Sequence, residues 1–329
     1  MSNKQESKFV EYWVPVGISG VQLEQYCANL LFNSSSLCSP SKIDLVGSLH
    51  CVLKNARKCC DHPYILDRLL QTSLLKFGDV KNILEVGINA SGKLKILDMM
   101  LSFMKDRGLR AIVLYQTDVR PGSTGDILDD FVRWRFGVDS YERYDGLVVR
   151  SKRQTAMKNF NDKEERFIFL LEVQSCTLKI KLSSIDCVVL YSSDWNPMND
   201  IKSLQKLSID SKSERIIVFR LFLPFTLEER ALVLSRQDSS LDSKIQNLSC
   251  TANHMLLMWG SSVLFEKLNE FHSNRDVDEN SLFEQMRPEK IFQEFSTIVD
   301  QNGKEFYFSE DSIIVKVEKC DFYITESLL

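Results

Sequence analysis

Four groups of residues have types and spacings that could do chemistry. Gly87-Ile-Asn-Ala-Ser-Gly92-Lys93 fits the first seven positions of a phosphate-binding loop, in which backbone amides cradle phosphates and a lysine reaches them. The eighth position should carry a hydroxyl for Mg²⁺, and here it is Leu94. The segment therefore reads as a loop with Ser91 as N-cap and Leu94 facing a core. His50, Cys51, Cys59, Cys60 and His62 offer ligating atoms, but the second Cys-x2–4-Cys pair of a zinc site is missing. They read as core thiols and a turn histidine, and no metal is expected. Asp129 with Asp130, and Glu228 with Glu229, read as solvated faces or helix N-terminal charges. Arg150, Lys152, Arg153 and Lys158 form a basic group suited to phosphates, and Lys179 with Lys181 forms a second. No Gly-x-Ser-x-Gly elbow and no His-Glu-x-x-His helix is present, so no catalytic residue is assigned.

The elements that must position these residues alternate. From residue 90 to about 237, helical patterns of ten or more residues separate short apolar runs at Ala111–Tyr115, Phe167–Leu171, Cys187–Tyr191 and Ile216–Leu223. Such spacing implies right-handed crossovers and an α/β fold with a mostly parallel sheet. Leu94, Leu97, Leu101 and Met104 share one helical face. The run Asp186-Cys-Val-Val-Leu-Tyr191 empties into Asp194-Trp-Asn-Pro197, at the strand end where open α/β sheets place their sites. Before residue 90 lie a short strand at Tyr12–Val16, helices at Val21–Leu31 and about Ile43–Cys60, and a connector over Lys76–Asn89. After residue 237 come helices to Gln285 and an alternating tail, with Phe306, Phe308, Ile314, Val315 and Val317, that could form a hairpin.

Bulk properties narrow the function. Net charge is −4, so no global basic field draws the chain to nucleic acid, and DNA contact would be local and weak. No apolar run approaches the roughly 18 residues of a membrane span. Nine irregularly spaced cysteines fit reduced thiols.

Residues 10–236 resemble the C-terminal RecA-like lobe of SWI/SNF-type chromatin-remodelling ATPases, within the superfamily 2 helicases. The landmarks fall in family order: Cys60-Asp-His-Pro-Tyr64, Ser91-Gly-Lys-Leu94, Tyr144-Asp-Gly146 with Arg153, Phe160-Asn161, Asp194-Trp-Asn-Pro197 with Asn199-Asp200, and Val218–Glu229. The resemblance divides the chain into three: 1–90, the end of a first lobe and a helical connector; 91–237, the RecA-like lobe; and 238–329, a helical extension with a short β-like tail.

Two motifs depart from the family. Where it has three glycines in motif V, this chain has Cys176, Thr177 and Lys179. Glycine serves where backbone must approach a phosphate closely. Where the family has two motif VI arginines, this chain has Lys206 and Ile209. An arginine finger is worth about 10³–10⁵ in rate. These losses resemble plant gene-silencing proteins with a degenerate helicase region. They imply a nuclear, non-enzymatic scaffold with silencing or chromatin proteins as partners and no cofactor. The alternatives are part of an active ATP-dependent remodeller, or a nucleic-acid-binding module using Arg150, Lys152, Arg153 and Lys158.

Overall fold

The computed structural model describes residues 8–38, 45–74, 82–116, 122–177, 179–211, 215–236, 249–273, 286–301 and 312–317. In chain order the elements are β1 (Phe9–Pro15), α1 (Gly20–Phe32), α2 (Ser34–Cys38), α3 (Leu45–Asp61), α4 (Leu70–Leu74), α5 (Ile83–Asn89) and α6 (Gly92–Asp106). Then follow β2 (Ala111–Tyr115), α7 (Thr124–Phe136), β3 (Tyr141–Tyr144), α8 (Arg150–Asp162), β4 (Ile168–Glu172), β5 (Lys181–Leu182) and β6 (Cys187–Leu190). The chain continues through α9 (Met198–Leu204), β7 (Ser208–Ile209), β8 (Ile216–Phe222), α10 (Leu227–Arg236), α11 (Cys250–Met258), α12 (Ser261–Ser273), α13 (Pro288–Asp300) and β9 (Val315–Lys316).

Seven strands form one sheet in the order β3-β4-β2-β6-β8-β1-β9, parallel except where β9 meets β1. Every residue of β2, β4, β6 and β8 is buried. Near-continuous apolar runs of this kind belong to parallel strands covered on both faces. The period of two then sorts the side chains. Val113, Leu170, Val189 and Phe219 join the core under α1, α3 and α6. Ile112, Phe169, Val188 and Val218 join a second core with Phe160 of α8 and Leu204 of α9. The mostly parallel α/β sheet is as the sequence pattern predicts.

Helix α6 starts where expected. Ser91 Oγ accepts from Leu94 N at 3.3 Å, and Leu94, Leu97, Leu101 and Met104 are all buried. Gly92 has a packing role at this start, since a Cβ there would lie 2.0 Å from the Gly17 carbonyl oxygen. The buried Gln22 side chain ties three helices together. Its Nε2 donates to the carbonyls of Cys59 and Cys60 at 2.7 and 3.0 Å, and its Oε1 accepts from Gly92 N at 3.0 Å.

Three elements differ from expectation. Phe9–Pro15, read as the tail of a preceding lobe, pairs with β8 along all seven residues and is an inner strand of this sheet. Its buried Tyr12 and Val14 complete the core under α1, a demand that only the tertiary fold reveals. Within Lys76–Asn89, the residues from Ile83 form helix α5 and not a connector. Of the alternating tail, Val315–Lys316 adds a short antiparallel strand to β1, while Phe306 and Phe308 lie outside the described residues.

Candidate nucleic-acid interface

Strands β3 and β4 run side by side and end together, with Tyr144 opposite Leu171. What leaves their C-terminal ends builds an open cavity of about 720 Å³. On one side the turn after β3 is fixed by Asp145, which is 1 % exposed. Its carboxylate accepts from Leu147 N and Val148 N, each at 3.0 Å, and pairs with Arg143 Nε at 2.6 Å. On the other side Glu172 Oε2 accepts from Gly146 N at 2.7 Å and Ser175 Oγ at 2.8 Å, joining the two turns. Helix α8 then brings Arg150 and Arg153 to the cavity wall, and the loop after β4 brings Thr177 and Lys179. Three cations thus face one carboxylate whose oxygen already holds two donors. The excess positive charge suits phosphate groups.

The expected residues are divided by this geometry. Arg150 and Arg153 line the cavity, while Lys152 and Lys158 are exposed on the same helix outside it. Thr177 and Lys179 line the same cavity, so two groups read separately in the sequence meet here. Cys176 and Ile209 belong instead to the second apolar core. Burial pushes the Cys176 thiol up to about 12, and the Lys206 charge only partly opposes this. Ile209 sits in β7, paired with Leu182 of β5. Lys206 is exposed on the turn between α9 and β7, within electrostatic reach of Cys176.

The Asp194–Pro197 turn is clamped from beneath. Arg220 of β8 is 1 % exposed; its guanidinium pairs with Glu11 at 2.6 Å and Asp200 at 2.6 Å. It also donates to Ser193 Oγ at 2.7 Å and the Pro197 carbonyl at 3.0 Å. Asp200 accepts from Asp194 N at 3.1 Å and from Gln116 Nε2 at 3.2 Å. Gln116 Oε1 in turn accepts from Gln174 Nε2 at 2.6 Å, at the cavity wall. A continuous hydrogen-bond chain therefore crosses the sheet end from β8 to β4. Trp195 lies against the Arg57 guanidinium, 4.5 Å from the ring centroid.

Lys93 does not face a phosphate. Its side chain is fully buried, with Nζ 3.1 Å from Asp61 and 2.5 Å from Glu228. Burial alone would lower this lysine, but Glu228 and Asp61 outweigh it and hold the ammonium above its ordinary value. The triad closes through Thr124 Oγ1, which donates to Asp61 at 3.2 Å, and Leu223 N, which donates to Glu228 at 3.0 Å. Burial outweighs Lys93 at Glu228 itself and raises its carboxyl. Of the two readings of Glu228 and Glu229, the solvated face is thereby corrected, while the helix N-terminal charge holds, since both lie in the first turn of α10. Glu228 is buried, and Glu229 accepts from Trp259 Nε1 at 2.7 Å and Phe225 N at 2.9 Å. Asp61, Lys93 and Glu228 each fall within a landmark of the resemblance, but nothing in the sequence pairs them. Cys59 and Cys60 are core thiols beside this triad, and burial drives His62 down to about 4.

Known proteins share this architecture. Residues 92–220 match the family model of the helicase conserved C-terminal domain. The chain is 33 % identical over 276 residues to the Arabidopsis thaliana Protein CHROMATIN REMODELING 4, covering 82 % of this chain and 12 % of that relative. It is also 33 % identical over 234 residues to the Homo sapiens SWI/SNF-related matrix-associated actin-dependent regulator of chromatin subfamily A member 1, covering 71 % of this chain and 21 % of the relative. The chain thus spans about an eighth to a fifth of these relatives' lengths.

Among solved structures, the Sulfolobus solfataricus SWI2/SNF2 ATPase C-terminal domain aligns with a TM-score of 0.56 at 19 % identity, over 76 % of this chain and 99 % of that one. The ATPase core from the same organism in complex with dsDNA aligns at 0.57 and 18 %, over 77 % and 51 %. These likenesses show the fold. The expectation of a non-enzyme is overturned by the comparisons, because the sequence relatives are chromatin remodellers. The chain carries a helicase C-terminal domain of the SWI2/SNF2 chromatin-remodeller family, with a RecA-like fold.

Proposed function

We propose that this chain serves as the second RecA-like lobe of an ATP-dependent, DNA-engaging motor in the nucleus, and that the cavity at the ends of β3 and β4 takes the phosphate backbone of duplex DNA. The observation that carries the reading is the meeting of Arg150, Arg153 and Lys179 around one open cavity. The solved neighbour bound to dsDNA supports it. ATP phosphates would be held chiefly by a first lobe. Toward them this lobe offers Lys206, a cation without the planar fork of arginine, so turnover is expected to be slow. A role in transcriptional silencing rests on the motif V and VI departures, and the names of the relatives add chromatin as the setting but not silencing.

Binding of the full chain to a labelled duplex, followed by fluorescence anisotropy against salt, tests the DNA reading. Three phosphate contacts predict a slope of log affinity against log salt of about −2.7, which Lys179→Ala should reduce by about one. Affinity indifferent to salt would refute it. Paired with a first lobe from a relative, the chain should show DNA-stimulated ATP turnover that falls on Lys206→Ala, and no stimulation would count against the motor.

A further inference from the structure

The turn that forms one cavity wall also holds two aliphatic side chains in solvent. Leu147 is 58 % exposed and Val149 is 65 % exposed. This exposure is built in. Asp145 grips the amides of Leu147 and Val148, Glu172 grips the amide of Gly146, and the Val149 carbonyl accepts from Arg153 N at 3.0 Å. The backbone on both sides of each aliphatic residue is therefore fixed, and neither side chain reaches a core. Arg150 follows directly, and it lines the cavity together with Arg153 of the same helix and Lys179 of the loop after β4.

We infer that Leu147 and Val149 act as an apolar wedge that enters a groove of the bound duplex and loosens a base step, while the neighbouring cations hold the flanking phosphates. This inference rests on the DNA reading and goes beyond it, since cations alone need only track the backbone. Opening a base step costs a few kcal/mol, and proteins offset that with apolar wedges flanked by basic residues. The observed pairing of preset aliphatic tips with three cations meets that requirement. An acidic peptide with apolar side chains is the competing occupant.

The test uses the full chain and a duplex carrying 2-aminopurine, whose emission rises when its base unstacks. Binding should raise the emission. The exposed double variant Leu147→Ser/Val149→Ser should abolish the rise and weaken binding about tenfold, because apolar contact is lost. Its salt slope should stay that of the unaltered chain. Leu147→Met/Val149→Ile should restore the rise. Salt-dependent binding with no change in emission at any probe position overturns the wedge and leaves the DNA reading standing. Unchanged affinity in the serine variant does the same, as does loss of an acidic apolar peptide in place of DNA. Absence of salt-dependent DNA binding overturns both.

Discussion

Replacing Lys93 by methionine is expected to remove about 3–5 kcal/mol of folding stability, because two buried carboxylates are then left without their cation. The side chains of Lys93, Asp61 and Glu228 are 0 %, 7 % and 8 % exposed, so water cannot screen what remains. The loss would be a large share of the roughly 5–15 kcal/mol that holds a typical fold. Urea unfolding followed by circular dichroism measures it. A loss below about 1 kcal/mol, the size of an exposed pair, would show the triad to be incidental. Adding Asp61→Asn and Glu228→Gln to Lys93→Met should recover part of the stability, since no buried charge then stands alone. The pH dependence follows from the raised lysine. Its contribution is present below the ordinary value of 10.5 and is lost as pH climbs through the folded-state value.

Arg220→Met should cost a similar 3–5 kcal/mol, by stranding Asp200 and Glu11, but with a second consequence. Asp200 is fully buried, and burial already raises its carboxyl despite Arg220. Without the guanidinium, Asp200 loses its anchor. The turn at Asp194–Pro197 and the Gln116–Gln174 link should shift with it. DNA affinity should therefore fall in Arg220→Met and hold in Lys93→Met, because Lys93 bonds to Asp61 and Glu228 and not to that hydrogen-bond chain. Arg220→Lys should rescue only in part, since an ammonium cannot span four acceptors in the geometry of a planar fork. Equal DNA affinity in the Arg220 and Lys93 variants, both measured while folded, would disprove the link.

The sheet was legible because buried parallel strands write themselves as apolar runs, as Ala111–Tyr115 and Cys187–Leu190 do. The start of α6 was legible because Ser91 is a local N-cap. Partners far apart in sequence were not legible. Nothing local to Glu228 announces Lys93, 135 residues away, and nothing local to Glu11 announces Arg220. The same holds for the cavity. Arg150, Arg153, Thr177 and Lys179 were each noticed, but only the parallel register of β3 with β4 brings them together. Cys176 and Ile209 were legible only as positions where motif glycine and arginine are lost; their place in the second apolar core was not, because alignment to a motif marks a position in the chain and not the direction of a side chain.

The place of β1 bears on how this lobe can be dissected. The family model spans 92–220, yet the strand that flanks β8 comes from residues 9–15. A fragment cut to the family boundaries would bare the backbone edge of β8, a ready template for pairing with another molecule. It would also uncover the apolar face that Tyr12 and Val14 now seal. Clumping of such a trimmed piece would then report its lost neighbours, β1 with Glu11 and helices α1 and α3 with Asp61, and say nothing about the soundness of the intact lobe.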